Sequence, residues 1–226
     1  MAWFAHFYTA TGVIFAFLAA LAIIDSDERS AFFWFFVATV VDSTDGWIAR
    51  VARVRERTPG FIGERLDYIV DYLTFVFLPV LLLYQAGRLP EEWGFFVASV
   101  MLLSSALRFG FVNAKTEDYF FMGFPSYWNI LAFYICAANT APFFNGVLLI
   151  VFSALVFLPV GFVYPSRTPT LRSLTVVMCA AWGGVLLLLI FQLPEVSNSL
   201  LMFSLWFPTY YLVLSLVLYC KRRSSQ

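Results

Sequence analysis

Two short stretches set acids into otherwise apolar sequence: ATVVDSTDGWIAR, with Asp42 and Asp45, and GERLDYIVDYL, with Asp67 and Asp71. An ionised carboxylate in such surroundings is costly unless a partner or a metal ion compensates it. At about 100° per helical residue, Asp42, Asp45, Gly46 and Ala49 share one helix face. Gly63, Asp67 and Asp71, spaced at i, i+4 and i+8, share one face of another. Neither stretch contains lysine or histidine, and Arg50 and Arg65 can pair with only some of the four acids. An all-oxygen donor set suits a hard divalent cation, Mn²⁺ or Mg²⁺, better than zinc. Two such ions bridged by shared carboxylates are the usual device for an in-line displacement at phosphorus. Gly46, Ala49 and Gly63 would then let a nucleotide pyrophosphate approach them. The plainer alternative is that the acids cap helices or pair with arginines to fix a bundle. It accounts for one acid more readily than for four acids and three small residues in register.

The elements that must position these residues are membrane spans. Of 226 residues, 62% are hydrophobic and 12% charged, and the mean hydropathy of +0.83 lies outside the range of soluble domains. A hydrocarbon core needs roughly 20 apolar residues per helix. Apolar runs give candidate spans at 9–24, 31–49, 66–84, 92–112, 126–141, 145–163, 174–192 and 200–220. The expected fold is therefore all-α: a polytopic transmembrane helical bundle of about eight helices, forming a single domain over residues 1–226. The fifth and sixth spans, separated by Pro142, Phe143 and Phe144, are expected to form a tight hairpin. The second and third are consecutive and joined by the basic stretch 50–58, so antiparallel packing brings the four acids together. They would lie about 12 Å below Arg50 at 1.5 Å per residue.

With the N-terminus in the cytoplasm, Arg50, Arg53, Arg55, Arg57, Arg65, Arg108, Lys115, Arg167, Arg172, Lys221, Arg222 and Arg223 fall inside, and Arg29 and Arg88 outside. The positive-inside rule therefore puts both termini and the acids on the cytoplasmic side. A net charge of zero gives no sign of nucleic-acid binding. Cys136, Cys179 and Cys220 lack ligand spacing and read as buried small hydrophobes. His6, among aromatics, reads as an interfacial side chain, and no cleaved signal peptide is expected.

Asp42-Ser-Thr-Asp45-Gly46-Trp-Ile-Ala49-Arg50 followed by Gly63-Glu-Arg-Leu-Asp67-Tyr-Ile-Val-Asp71 resembles the DxxDGxxAR…GxxxDxxxD signature of the CDP-alcohol phosphotransferases at every fixed position. The signature covers about thirty residues, 42–71. Its spacer, residues 51–62, is longer than the family usually has. In this the chain resembles the bacterial phosphatidylcholine synthases, which join choline to CDP-diacylglycerol. The stretches GFPSYWN at 123–129 and FVYPSRT at 162–168 also look like that branch.

The resemblance implies that Asp42, Asp45, Asp67 and Asp71 bind two metal ions and that Asp71 takes the acceptor's proton. Asp42, Asp45, Gly46, Ala49, Arg50, Gly63 and Asp67 would line the CDP site. CDP-diacylglycerol and choline would be the substrates and CMP a product, at a bacterial inner membrane, with a homodimer by analogy. For the acceptor, aromatic faces suit a quaternary ammonium, which has no N–H to donate. Tyr127, Trp128 and Tyr164 are the candidates, with the interfacial aromatic belt as the alternative. Arg108, Arg167 and Arg172 are candidates for a lipid phosphate, and they leave serine, glycerol phosphate and inositol phosphate open as acceptors. A divalent cation transporter is the alternative of another class. It needs a polar path to the outer face, and the outer halves of the spans are almost wholly apolar.

Overall fold

A computed structural model describes residues 2–111, 120–165 and 167–223. Lys115 and the side chain of Arg223 lie outside the described set. The protein is an all-α membrane bundle: α1 (Ala2–Ile24), α2 (Glu28–Val51), the single turn α3 (Val54–Arg57), α4 (Gly63–Asp71), a π-helical segment (Tyr72–Phe77), α5 (Leu78–Gln85), α6 (Gly94–Phe109), α7 (Trp128–Ala137), α8 (Pro142–Leu155), α9 (Arg172–Gln192), α10 (Asn198–Ser204) and α11 (Trp206–Arg223). Among the described residues, four helical rods are long and apolar enough to cross a membrane: α1, the continuous rod Gly63–Gln85, α9, and the rod formed by α10 and α11. Helices α6, α7 and α8 are shorter and apolar. The acids of α2 lower its apolar character, although it is as long as these spans.

Two expectations about boundaries change. Pro142 opens α8, in the first turn where its missing N–H costs nothing, so the hairpin turn lies earlier, at 138–141. The helix expected to reach Val163 ends at Leu155. The chain then forms β2 (Gly161–Val163), antiparallel to β1 (Phe120–Met122), with Phe120 opposite Val163 and Met122 opposite Gly161. The turn after β1 requires Gly123. Its φ is +82°, and a Cβ there would lie 2.1 Å from the Val156 carbonyl oxygen. The strand pair thus joins the stretches 123–129 and 162–168, which are distant in sequence.

Helix α1 lies along α2 and α4, with one face packed on them and the other exposed. Ala16, Ala19, Ala22, Ala31 and Ala38 are buried, letting the α1 and α2 backbones approach closely. A Cβ on Gly12 would meet Val70 Cγ1 at 2.4 Å, so Gly12 is what admits α4. The π segment begins directly after Asp71, and the Leu78 N–H bonds the Leu73 carbonyl five residues back. Pro79 follows, unable to donate an α-helical hydrogen bond, so the register changes just before it. Tyr72 donates to the Leu102 carbonyl at 3.1 Å and ties this segment to α6.

Candidate active site

Helices α2 and α4 bring Asp42, Asp67 and Asp71 together, each offering a carboxylate oxygen, with these atoms all within 4.8 Å of one another. All three residues are half-buried. The cluster follows from two helix periodicities: Asp67 and Asp71 are one turn apart on α4, and Asp42 faces them from α2. An all-carboxylate set at this spacing fits a hard divalent cation.

Asp45 is differently placed. The four acids were expected to look at one neighbour, but the angle between positions 42 and 45 turns Asp45 toward α1. There it is buried, and its Oδ2 accepts a hydrogen bond from Thr9 Oγ1 at 2.7 Å. Tyr8 and Thr44, each beside one of this pair, bond hydroxyl to hydroxyl at 2.7 Å. Helix α1 therefore orients the acid-bearing face of α2.

The small residues separate into two kinds. A Cβ on Gly46 would meet only the Arg50 guanidinium, at an ordinary 3.4 Å, so the α2 surface between Asp42 and Arg50 is open to a ligand. Ala49 is half-buried on the same face. Gly63 has another neighbour: a Cβ there would lie 3.1 Å from His6 Cε1. The smallness of Gly63 makes room for the His6 ring. His6, expected at an interface, is buried. Its Nε2 is 2.9 Å from Thr58 Oγ1, and its ring packs on Phe61 at 4.3 Å. It pins the long spacer to α1 just before α4 begins.

Arg50 is exposed at the end of α2, within electrostatic reach of Arg167, Tyr164, Arg172 and Asp45. Arg108 donates to the Met122 carbonyl and so holds β1. Trp128 is fully buried and donates from Nε1 to Ser105 Oγ at 2.7 Å. Tyr127 is half-buried, and its ring packs against Phe75, centroids 6.1 Å apart. Of the cysteines, Cys136 is buried as expected, Cys179 is half-buried, and Cys220 is exposed.

Sequence reasoning missed the roles of Thr9, His6 and Gly12, which act across helix contacts that no spacing within one helix encodes.

Comparison with known proteins agrees with this geometry. Residues 3–161 match the CDP-alcohol phosphatidyltransferase family. The chain is similar to a protein of Pseudomonas aeruginosa named phosphatidylcholine synthase, 36% identical over 91% of this chain and 86% of the relative. It is similar also to proteins of that name from Agrobacterium fabrum, 39% identical over 84% of this chain and 80% of the relative, and Legionella pneumophila, 37% identical over 95% and 87%. The chain belongs to the CDP-alcohol phosphatidyltransferase family and is a membrane-embedded transferase.

Proposed function

We propose that this transferase moves the phosphatidyl group of CDP-diacylglycerol to choline, giving phosphatidylcholine and CMP. The observation that carries the chemistry is the convergence of Asp42, Asp67 and Asp71 to within 4.8 Å. The choice of choline is supported by the relatives named phosphatidylcholine synthase, which align over most of both chains.

Asp42, Asp67 and Asp71 would hold Mn²⁺ or Mg²⁺, with Asp45, oriented by Thr9, completing a two-ion site. Divalent cations bound there polarise phosphoryl oxygens and lower the charge on the departing phosphate. The open surface at Gly46 and Ala49 admits the pyrophosphate, and Arg50, with Arg167 and Arg172 nearby, balances its charge. The choline oxygen attacks the phosphorus that carries diacylglycerol. A new P–O bond forms, the bond to the CMP oxygen breaks, and Asp71 accepts the hydroxyl proton. Half-burial at the end of the bundle keeps the acids reachable from water while the acyl chains remain among the spans. The positive-inside rule assigns that end to the cytoplasmic face of a bacterial inner membrane, with both termini on the same side. Contacts of His6 with Thr58 and of Arg222 with the Phe120 ring support placing both termini near the acids.

The test is an acceptor panel. Purified protein with labelled CDP-diacylglycerol and Mn²⁺ or Mg²⁺ should form phosphatidylcholine and CMP from choline, and EDTA should abolish this. Product from serine, glycerol phosphate or inositol phosphate alone would overturn choline and leave the family chemistry standing.

A further inference from the structure

Helix α4 has a second face that the acids do not occupy. Gly63, Asp67 and Asp71 stand on one side of it, whereas Arg65, Leu66 and Ile69 stand on the other, as about 100° per helical residue requires. On that far side Gly60, Phe61, Ile62, Arg65, Leu66 and Ile69 line a groove of about 360 Å³, within the roughly 300–1,000 Å³ of small-ligand sites. Its walls are apolar and open outward: Phe61, Ile62 and Ile69 are 38%, 50% and 59% exposed. A Cβ on Gly60 would meet nothing within 4 Å, so the rim is clear. The charge in this lining is the exposed Arg65. Its neighbour Glu64 pairs with Arg55 at 2.5 Å, and among the described residues no ion pair includes Arg65. The surrounding spacer is basic as well, with Arg53, Arg55, Arg57 and Arg65 set against Glu56 and Glu64 over residues 51–66. A helix face bathed in acyl chains needs only apolar side chains. A recess with a cation at its mouth matches a ligand with an anionic head and an apolar tail.

We propose that this groove holds an anionic phospholipid of the surrounding bilayer, distinct from the substrate, with its phosphate on Arg65 and an acyl chain along Leu66 and Ile69. Arg65 lies in the first turn of the apolar rod Gly63–Gln85, the level of a headgroup, and Ile69 lies one turn deeper, the level of the chains. Occupancy bears on the acids because the groove and the cluster are two sides of one helix. Phe61, in the groove wall, packs on His6 at 4.3 Å and on Trp3 at 5.6 Å between ring centroids. Helix α4 then begins at Ile62 without a side-chain cap. A lipid lying against Phe61 and Ile62 would hold that uncapped first turn in place, and with it Asp67 in the next. The spacer, residues 51–62, thereby acquires a use of its own: it supplies the near wall of the groove and most of the positive charge around it.

The test counts bound lipid on the full chain. Purified protein in neutral detergent is mixed with phosphatidylglycerol or with phosphatidylcholine of the same acyl chains, without substrates, and retained lipid is read by native mass spectrometry. The wild type should keep one phosphatidylglycerol in preference to phosphatidylcholine. Arg65→Gln should lower phosphatidylglycerol retention about fivefold and leave that of phosphatidylcholine unchanged. Arg57→Gln, which removes an exposed spacer cation outside the groove lining, should leave both nearly unchanged. Ile69→Trp should fill the groove and exclude phosphatidylglycerol with Arg65 intact. Turnover in nanodiscs should rise when phosphatidylglycerol is added to a neutral bilayer, and Arg65→Gln should lose that rise while keeping its rate in the neutral bilayer. Equal losses from Arg65→Gln and Arg57→Gln would reduce the attraction to diffuse surface charge, and retention untouched by Ile69→Trp would place the lipid elsewhere; either result overturns the site. Displacement of the retained lipid by CDP-diacylglycerol would make the groove the substrate's path and overturn a separate lipid. The binding measurements contain no acceptor, so their outcome stands apart from the choice of choline.

Discussion

The two ends of the bundle both contain charged side chains in apolar surroundings, and they use them in opposite ways. At the end holding Ile24, Glu28 and Gln85, charged side chains pair with partners inside the protein. The Arg88 guanidinium bonds Glu28 at 3.2 Å and also Asn139, the Arg88 carbonyl accepts from Asn145 at 2.8 Å, and Arg29 donates to the Leu193 carbonyl. At the other end, Asp42, Asp67 and Asp71 are held within 4.8 Å, where like charges repel. A pairing network of opposite charge stabilises a fold. A cluster of carboxylates offers a set of oxygen donors to a cation. The difference sets an end where opposite charges pair against an end where like charges cluster.

That contrast can be broken by asking what each end loses on mutation. The largest effect belongs to Asp71→Asn, which removes the proposed proton acceptor and a cation ligand. Transfer should fall about a thousandfold, while the thermal midpoint of the metal-free protein holds or rises as repulsion is relieved. A midpoint that fell along with activity would make the cluster a structural network like the one opposite. Arg88→Ala should do the reverse. Its side chain and that of Glu28 are 21% and 24% exposed, and leaving Glu28 and Asn139 without their donor should cost about 2 kcal/mol of stability in denaturant titrations. Activity per folded molecule should be unchanged. Thr9→Val is an intermediate case, because Thr9 touches Asp45 and stands outside the cluster. Loss of an orienting hydrogen bond should raise the Mn²⁺ concentration for half-maximal activity about tenfold, with little change in the midpoint.

Legibility follows the same division. The acids and Gly46 were readable because their meaning lies in offsets within one helix, and α2 and α4 are consecutive. The parts contributed by α1 were not. Thr9, Gly12 and His6 have their roles through Asp45, Val70 and Thr58, pairings set by how helices pack. The strands Phe120–Met122 and Gly161–Val163 are too short to interrupt a hydropathy reading, so the second ran into an expected helix. Aromatic residues at 20% of the chain hide which rings face the site. Trp128 and Tyr127 are neighbours in sequence, and one turns into the core against Ser105 while the other stays half-buried against Phe75. Orientation of that kind is a property of the packed structure, and the sequence displays it only where a period reveals a face.

The smallest expected effect tests whether an acid at the structural end contributes to stability alone. Asp27 caps α2, its Oδ1 accepting the Ser30 N–H at 3.1 Å. Hydrogen bonding from Ser30 holds its carboxyl below the usual carboxylate range, against a smaller opposing effect of burial. A depressed folded-state pKa means that the ionised cap favours the native state. Its contribution is complete above the unfolded carboxylate value of about 4 and is lost as the pH falls through the lower folded value. Asp27→Ala should therefore lower stability by about 1 kcal/mol at neutral pH. The gap between wild type and variant should close on acidification below that range, and transfer activity at neutral pH should not change. Thermal midpoints at both pH values, read beside turnover, decide it. A loss of turnover from Asp27→Ala would mean that the two ends are coupled through the length of α2, and that its acids cannot be divided between stability and chemistry.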